Sequence, residues 1–186
     1  MQNKLFIVTG VNGIGKSTVI PELLKKLDSS LYAIHDFDER GVPDNADSDW
    51  RKSETTHWLE VAKANATNNV STLVCGFMKT TDIEHALKKV AGVEVSMCLL
   101  DANAEVISER IMSRYQTPKS LEELERTTGK TPEKFLEDNI WVSSKFRESA
   151  KEKGFTIVDT NDKNPEAVAE AIVDWMNTLK EKIKLI

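Results

Sequence analysis

Residues 10–17 read G-V-N-G-I-G-K-S, and they follow the apolar run Leu5-Phe6-Ile7-Val8. A run of this length and composition is typical of a buried strand, and the stretch from residue 16 to residue 27 predicts a helix. A glycine-rich turn between a strand and a helix can point successive backbone N–H groups inward at an anion, and the helix dipole adds positive potential there. The pattern therefore predicts a phosphate-binding loop.

Within this loop the glycines allow the backbone to approach the phosphates closely. Lys16 is expected to reach the terminal phosphates, and the Ser17 hydroxyl is expected to hold Mg²⁺ on them. The candidate nucleotide-binding residues are Gly10, Asn12, Gly13, Ile14, Gly15, Lys16, Ser17 and Thr18.

The composition predicts one well-cored domain, because no glycine- or serine-rich linker divides the 186 residues. Cys75 and Cys98 lie in apolar, strand-like segments and are expected to be buried and reduced. We expect a cytoplasmic protein without a membrane partner, since the chain has neither a leader pattern nor a long apolar run. A net charge of -5 argues against a surface that binds nucleic acid. A monomer and a homodimer both remain open.

Short apolar runs alternate with longer amphipathic stretches, which is typical of a parallel sheet covered by helices. The predicted strands are 5–9, 31–35, 72–75, 95–100 and 155–158. The predicted helices are 16–27, 49–68, 82–90, 104–115 and 165–182, with Thr81 and Glu84 as a capping box at the start of the third. The chain is thus expected to be an α/β protein with a five-stranded parallel sheet.

Residues 116–154 interrupt this alternation with helical patterns only. Ser120 with Glu123 predicts the start of one short helix, and Thr131-Pro132 predicts the start of a longer one. An insertion of this length fits a helical lid over an active site. A helical hairpin that merely covers the sheet is the alternative.

Several segments together resemble the small P-loop kinases, nearest to the gluconate kinase and shikimate kinase branch and the related nucleoside monophosphate kinases. The loop at residues 10–18 resembles the gluconate kinase loop, and His35-Asp36-Phe37-Asp38 resembles the D-x-D of these enzymes. Their substrate segment is similar to Gly41-Val42-Pro43 followed by Asp49, Arg51 and Trp58. Residues 75–79 resemble the C-S-A-L-K segment of these kinases. The strand and the arginine-bearing helix that precede their lid are similar to Leu100-Asp101, Glu109-Arg110 and Arg114.

The resemblance implies a P-loop three-layer α/β/α fold with strand order 2-3-1-4-5, and an ATP- and Mg²⁺-dependent kinase of a small acceptor. It places Gly76 and Trp58 at the acceptor, Arg110 and Arg114 at the phosphates, and Asn161 near the adenine. Arg51 and Trp58 are farther apart than their counterparts in gluconate kinases, and the insertion lacks the basic residues that those enzymes carry at its start. Gluconate is therefore not carried over as the acceptor, and a sugar acid, a nucleoside or nucleotide and an antibiotic-like alcohol all remain open.

Asp36 and Asp38 follow the second strand, at the sheet edge where open α/β proteins bind ligands. Alternation places both carboxylates on one side, so one can act as general base while the other serves Mg²⁺ or a second hydroxyl. We favour Asp36 as the base and also count it, with Ser17, as a metal-site residue. Aspartates that merely cap a turn are the alternative.

Basic and aromatic residues complete the candidate set. Arg110 and Arg114 share one helix face and are expected to stabilise the transferring phosphoryl group, unless they bridge to Glu109 or Asp101 instead. Lys79 and Arg51 are candidates for an anionic acceptor group. Trp50 and Trp58 lie roughly on one helix stripe, where they wall a pocket or simply pack in the core. His35, His57 and His85 lack metal-ligand spacing.

Other classes of P-loop protein remain as alternatives. Asp38-Glu39-Arg40-Gly41 spells the D-x-x-G of a GTPase switch, but it lies too early and no N-K-x-D segment accompanies it. A motor ATPase normally has a strand that ends in Asp-Glu, and residues 72–75 do not. A module that binds ATP without turnover is also compatible with the sequence.

Overall fold

The computed structural model describes residues 4–44 and 46–184, with side chains up to residue 179. Along the chain the elements are β1 (Lys4–Thr9), α1 (Lys16–Lys26), β2 (Tyr32–Asp36), α2 (Ser48–Ala66), β3 (Ser71–Cys75), α3 (Thr80–Leu87), β4 (Glu94–Asp101), α4 (Ala104–Arg114), α5 (Pro118–Thr128), α6 (Pro132–Lys153), β5 (Thr156–Asp159) and α7 (Pro165–Lys184).

The five strands form a parallel sheet in the order β2-β3-β1-β4-β5. This is the fold predicted from the sequence, and each predicted strand lies within one residue of the observed one. The central strand β1 is paired on both sides, with Val8 opposite Cys75 of β3 and Cys98 of β4. The carboxyl ends of β1 and its neighbours therefore meet at one sheet edge, directly before the glycine-rich loop.

Alternation along β1 divides the apolar core into two layers. Phe6 and Val8 pack on the side covered by α1, α4, α6 and α7, whereas Leu5 and Ile7 pack on the side covered by α2 and α3. Trp175 of α7 contacts Phe6 edge-to-face, with ring centroids 5.7 Å apart, which confirms its place in the core. The sheet is consequently covered on both faces, as a parallel sheet requires.

Two helix starts differ from the sequence prediction. α3 begins at Thr80 with Lys79 as the N-cap residue, and no side chain caps it, so the predicted capping box of Thr81 and Glu84 was wrong. α5 begins at Pro118 instead of near Ser120, because Thr117 caps it and Ser120 completes a capping box with Thr117. Thr117 and Ser120 can both cap a helix, and they lie three residues apart. Pro118 at the first helical position favours the earlier start.

Both cysteines are buried and free, as predicted. Burial raises the pKa of the Cys75 thiol to about 12, so this thiol stays protonated near neutral pH. No helix among the described residues is long and apolar enough to cross a membrane.

Candidate functional site

The glycine-rich loop joins β1 to α1 at the carboxyl edge of the sheet. Gly13 and Gly15 have φ angles of 76° and 103°, in the left-handed region that glycine adopts without strain. Gly15 is also the N-cap residue of α1, and its carbonyl accepts a hydrogen bond from the Val19 N–H at 3.1 Å. The first backbone N–H groups of the helix are thus free of internal partners and suited to bind an anion.

Lys16 holds its ammonium inside the loop. Its Nζ donates to the Val11 carbonyl oxygen at 2.8 Å, and the residue as a whole is half-buried. Burial lowers the pKa of Lys16 from 10.5 to about 8, although the negative charges of Asp38 and Asp36 act in the opposite direction. Lys16 forms no ion pair with the described residues, so the arrival of a multiply charged anion would stabilise this partly desolvated ammonium.

Ser17 and Asp36 meet at the same edge. The Ser17 hydroxyl donates to Asp36 Oδ2 at 2.6 Å, and Asp36 Oδ1 accepts from the Asp38 N–H at 3.0 Å. Glu39 steadies the segment, because its Oε2 accepts from the Asp36 N–H at 3.1 Å. A hydroxyl and a carboxylate are ligands that Mg²⁺ accepts, and this ion commonly takes its remaining ligands from water and phosphate. Among the described side chains, in residues 4–44 and 46–179, no cluster of three or more His, Cys, Asp or Glu residues is arranged to bind a metal by itself.

A cavity of about 500 Å³ lies over the loop. Its lining includes Asp36, Asp38, Gly76, Arg110, Arg114 and the residues from Asn12 to Val19. Gly76 lies here because a side chain would not fit: a Cβ atom would be 2.0 Å from Cβ of Phe37. Most of the residues predicted to bind nucleotide thus surround one cavity.

The two arginines of α4 both line this cavity, and each makes a different contact with the rest of the protein. Arg110 donates to the hydroxyl and the carbonyl oxygen of Thr160, at 3.1 and 2.9 Å, which fixes its guanidinium at the cavity wall. Arg114 contacts the Tyr115 ring at 5.6 Å. Neither arginine bridges to Glu109 or Asp101 in the described part of the chain. Asp101 is instead bound by Arg147, a residue that the sequence analysis did not identify.

Asn161 does not line the cavity. Its Oδ1 accepts from the Asn103 N–H at 3.0 Å, and its Nδ2 donates to Asp159 at 2.6 Å, so both ends of the amide are engaged within the protein. Thr160 and Lys163 line the cavity at this position instead. The sequence indicated only that the loop after the fifth strand lies near the nucleotide. It carries no residue-specific motif, so it could not show which loop residue lines the cavity.

A second cavity, of about 790 Å³, lies between α2, the loop after β3 and the helical insertion. Arg51, Lys79, Trp50 and Phe77 line one side of it, so the two predicted acceptor-binding cations do share a cavity. Trp58 does not reach it: the side chain is 2% exposed, and its Nε1 donates to the Phe37 carbonyl oxygen at 3.2 Å. Trp58, which the sequence analysis predicted to bind the acceptor, is therefore turned into the core by the helix and does not border this cavity.

The insertion borders the second cavity with one part and covers the sheet with another. α5 and the first half of α6 border the second cavity through Leu124, Phe135 and Asn139. The second half of α6 covers the sheet, where Arg147 donates two hydrogen bonds to Asp101 at 2.6 and 2.9 Å. An ion pair between Arg126 of α5 and Asp44 also joins the insertion to the segment before α2.

Asn139 links the insertion to the glycine-rich loop. Its Oδ1 accepts from the Asn12 backbone N–H at 3.0 Å, and its Nδ2 donates to the Phe135 carbonyl oxygen at 2.8 Å. The side chain is buried, with 6% of the residue exposed. No sequence signal indicated this contact, because the two asparagines are far apart along the chain.

Three residues, Asn12, Asp38 and Arg114, line both cavities. Loss of solvation and the nearby charge of Asp36 raise the pKa of Asp38, while the charges of Lys16 and Arg51 act against this rise. The two cavities therefore meet at Asn12, a carboxylate and a guanidinium.

Comparison with solved structures identifies proteins of the same fold. A sugar kinase from Janibacter sp. HTCC2649 is 21% identical, with a TM-score of 0.55 and 94% of each chain covered. A shikimate kinase from Acinetobacter baumannii, solved in complex with shikimate, is 17% identical, with a TM-score of 0.58 over 95% of this chain and 94% of that one. A gluconokinase from Sinorhizobium meliloti 1021 is 15% identical, with a TM-score of 0.60 over 99% and 97%.

No family model matches the sequence, and no curated protein matches it either. At these identities the structural likeness shows the fold alone. The chain has the fold of these small P-loop kinases.

Proposed function

Because the chain has the fold of small P-loop kinases, we propose that it transfers the γ-phosphoryl group of ATP, with Mg²⁺, to a hydroxyl of a small acceptor. The observation that carries the proposal is the pair of adjoining cavities with a shared wall of Asn12, Asp38 and Arg114. Phosphoryl transfer needs the attacking and leaving oxygens in line with the phosphorus, and it needs cations around the transferring group. It needs little covalent chemistry from the protein.

The smaller cavity is the site proposed for ATP. The glycine-rich loop would bind the phosphates through its backbone N–H groups, and Lys16 would exchange its hydrogen bond to Val11 for one to a phosphate oxygen. Arg110, fixed by Thr160, and Arg114 would neutralise charge on the transferring group. Ser17 and Asp36 would hold Mg²⁺, which when bound offsets the charge of the phosphates.

Asp38 fits the role of general base better than Asp36. Asp36 is engaged by the Ser17 hydroxyl and borders only the nucleotide cavity, whereas Asp38 borders both. In the proposed step the acceptor oxygen attacks the γ-phosphorus, the bond from that phosphorus to the β–γ bridging oxygen breaks, and ADP leaves. The proton of the acceptor hydroxyl passes to the Asp38 carboxylate.

A switch protein or an ATP-binding module without turnover needs no second cavity. The larger cavity is the site proposed for the acceptor and is called the acceptor cavity below. The D-x-x-G residues Asp38 and Gly41 line it, and this position favours acceptor binding over a switch role. Release of ADP that depends on a second small molecule separates a kinase from either alternative.

The test is an ADP-release screen over hydroxylated metabolites with wild type, Lys16→Ala and Lys25→Ala. Lys25 lies on the same helix but pairs with Glu22 at the surface, so it is a matched control for the loss of a lysine. We expect acceptor-dependent release from wild type and Lys25→Ala, and none from Lys16→Ala. Full activity of Lys16→Ala, or ADP release that ignores every acceptor, would contradict the proposal.

The two aspartates are separated by a second pair of variants. Asp38→Asn is expected to lower kcat with little change in ATP affinity, because the base is lost while the phosphate site is kept. Asp36→Asn is expected to raise the Mg²⁺ concentration needed for half-maximal rate. The reverse pattern would return the base to Asp36.

A further inference from the structure

Two cations on one side of the acceptor cavity form no ion pair with the described residues. Arg51 and Lys79 both approach the Phe77 ring, at 5.5 and 5.8 Å from its centroid, and neither forms an ion pair with any residue of the described chain. Of the other cations that line this cavity, Arg126 pairs with Asp44 and Lys130 pairs with Asp138. Arg114 also forms no ion pair in the described chain, but it lies at the wall shared with the nucleotide cavity. Arg51 and Lys79 thus form a positive site beside one aromatic ring.

The positive site adjoins an aromatic wall. Trp50, Phe77 and Tyr115 are half-buried and line the cavity. Phe37 supports Trp50 edge-to-face with centroids 6.0 Å apart, and Phe146 stacks on Phe77 at 5.2 Å. Rings held in place by other rings present a rigid apolar surface, which favours a flat apolar group on the ligand.

The chemistry of the wall points in the same direction. The cavity has a volume of about 790 Å³, and a six-carbon sugar acid has no flat group to cover its aromatic wall. A small hydrophilic acid would leave the rings against water.

Resting on the function proposed above, we propose that the acceptor is a ring-bearing organic anion. Its carboxylate or phosphate binds between Arg51 and Lys79, its ring lies against Trp50 and Phe77, and its hydroxyl faces Asp38 at the shared wall. A guanidinium binds either anion with two parallel hydrogen bonds, so Arg51 contributes most to recognition of the charged group.

The experiment measures binding and turnover across four classes of hydroxylated compound. Uridine monophosphate and para-hydroxymethylbenzoate carry both ring and anion, with a phosphate and a carboxylate respectively. Gluconate and glycerol phosphate carry an anion without a ring, uridine carries a ring without an anion, and sorbitol carries neither. Titration calorimetry gives affinity with a non-hydrolysable ATP analogue present, and ADP release gives turnover.

We expect at least one ring-bearing anion to bind about tenfold or more tightly than every compound of the other three classes. Arg51→Ala should weaken that binding by about tenfold and leave uridine unaffected, and Arg51→Lys should restore part of the loss. Lys52→Ala is the matched control, because Lys52 is the next residue of α2 and pairs with Asp49 outside the cavity.

The inference is overturned if a ringless or uncharged compound binds best, or if no ring-bearing anion binds at millimolar concentration. Either result leaves the proposed kinase function standing as long as ATP binds and another class releases ADP. A wild-type protein that does not bind ATP would instead overturn the proposed function.

Discussion

Replacing Lys16 by methionine is expected to make the ligand-free protein more stable near neutral pH. Burial lowers the pKa of this ammonium from 10.5 to about 8, so the folded protein holds the charge at a cost that the unfolded chain does not bear. The difference corresponds to at most about 3 kcal/mol, and to less where water reaches the half-buried side chain. Methionine keeps the length and the apolar part of the side chain and removes the charge.

The sign of the pH dependence follows from the same values. Between pH 8 and 10.5 the unfolded chain holds more protons than the folded protein at this position, so the free energy of unfolding rises with pH. Relative to Lys16→Met, wild type should gain about 1.4 kcal/mol between about pH 7 and pH 9. The comparison with the variant cancels the titration of the other groups.

Urea unfolding of both proteins at several pH values measures the effect. Calorimetric titration of wild type with MgATP near pH 8, in buffers of different ionisation enthalpy, should also show uptake of about half a proton, because the phosphates favour the charged lysine. A Lys16→Met protein that is less stable than wild type at neutral pH, or a stability difference that ignores pH, would refute the reasoning.

Three further substitutions test individual contacts. Gly76→Ala would bring a Cβ atom to 2.0 Å from Cβ of Phe37, so we expect a loss of about 3 kcal/mol or more in urea unfolding, and wild-type stability would contradict the packing described. Arg147→Ala leaves Asp101, 14% exposed, without its guanidinium and should cost about 2 kcal/mol, of which Arg147→Lys restores only part; equal stability of all three proteins would argue against a structural role. Asn139→Ala removes the acceptor of a loop N–H and should lower stability by about 1 kcal/mol and speed hydrogen exchange at that amide, whereas unchanged exchange would mean that the contact is absent in solution.

Local pattern was sufficient to predict the sheet. Buried parallel strands are continuous apolar runs, and residues 5–9 and 72–75 are bounded by polar or glycine residues that mark their ends. The glycine-rich loop was equally readable, because a short segment carries the whole geometry. The start of α3 could not be predicted in this way, because its N-cap residue is Lys79 and no side chain caps its first turn.

The part of the site that depends on long-range contacts was less predictable. Trp58 and Trp50 share a helix stripe in the sequence, but only the packing of α2 on Phe37 decides that Trp58 is buried and Trp50 faces the cavity. The contact between Asn12 and Asn139 joins positions 127 residues apart. Neither spacing nor residue type indicates such a pairing.

The wall shared by the two cavities has a kinetic consequence. Since Asn12, Asp38 and Arg114 border both cavities, a donor and an acceptor bound there would lie next to each other at the same three residues. Such an enzyme has no need of a phosphorylated intermediate on its own chain. Initial-rate lines measured at several fixed acceptor concentrations should then intersect instead of running parallel, as they do when both substrates must occupy the protein at once.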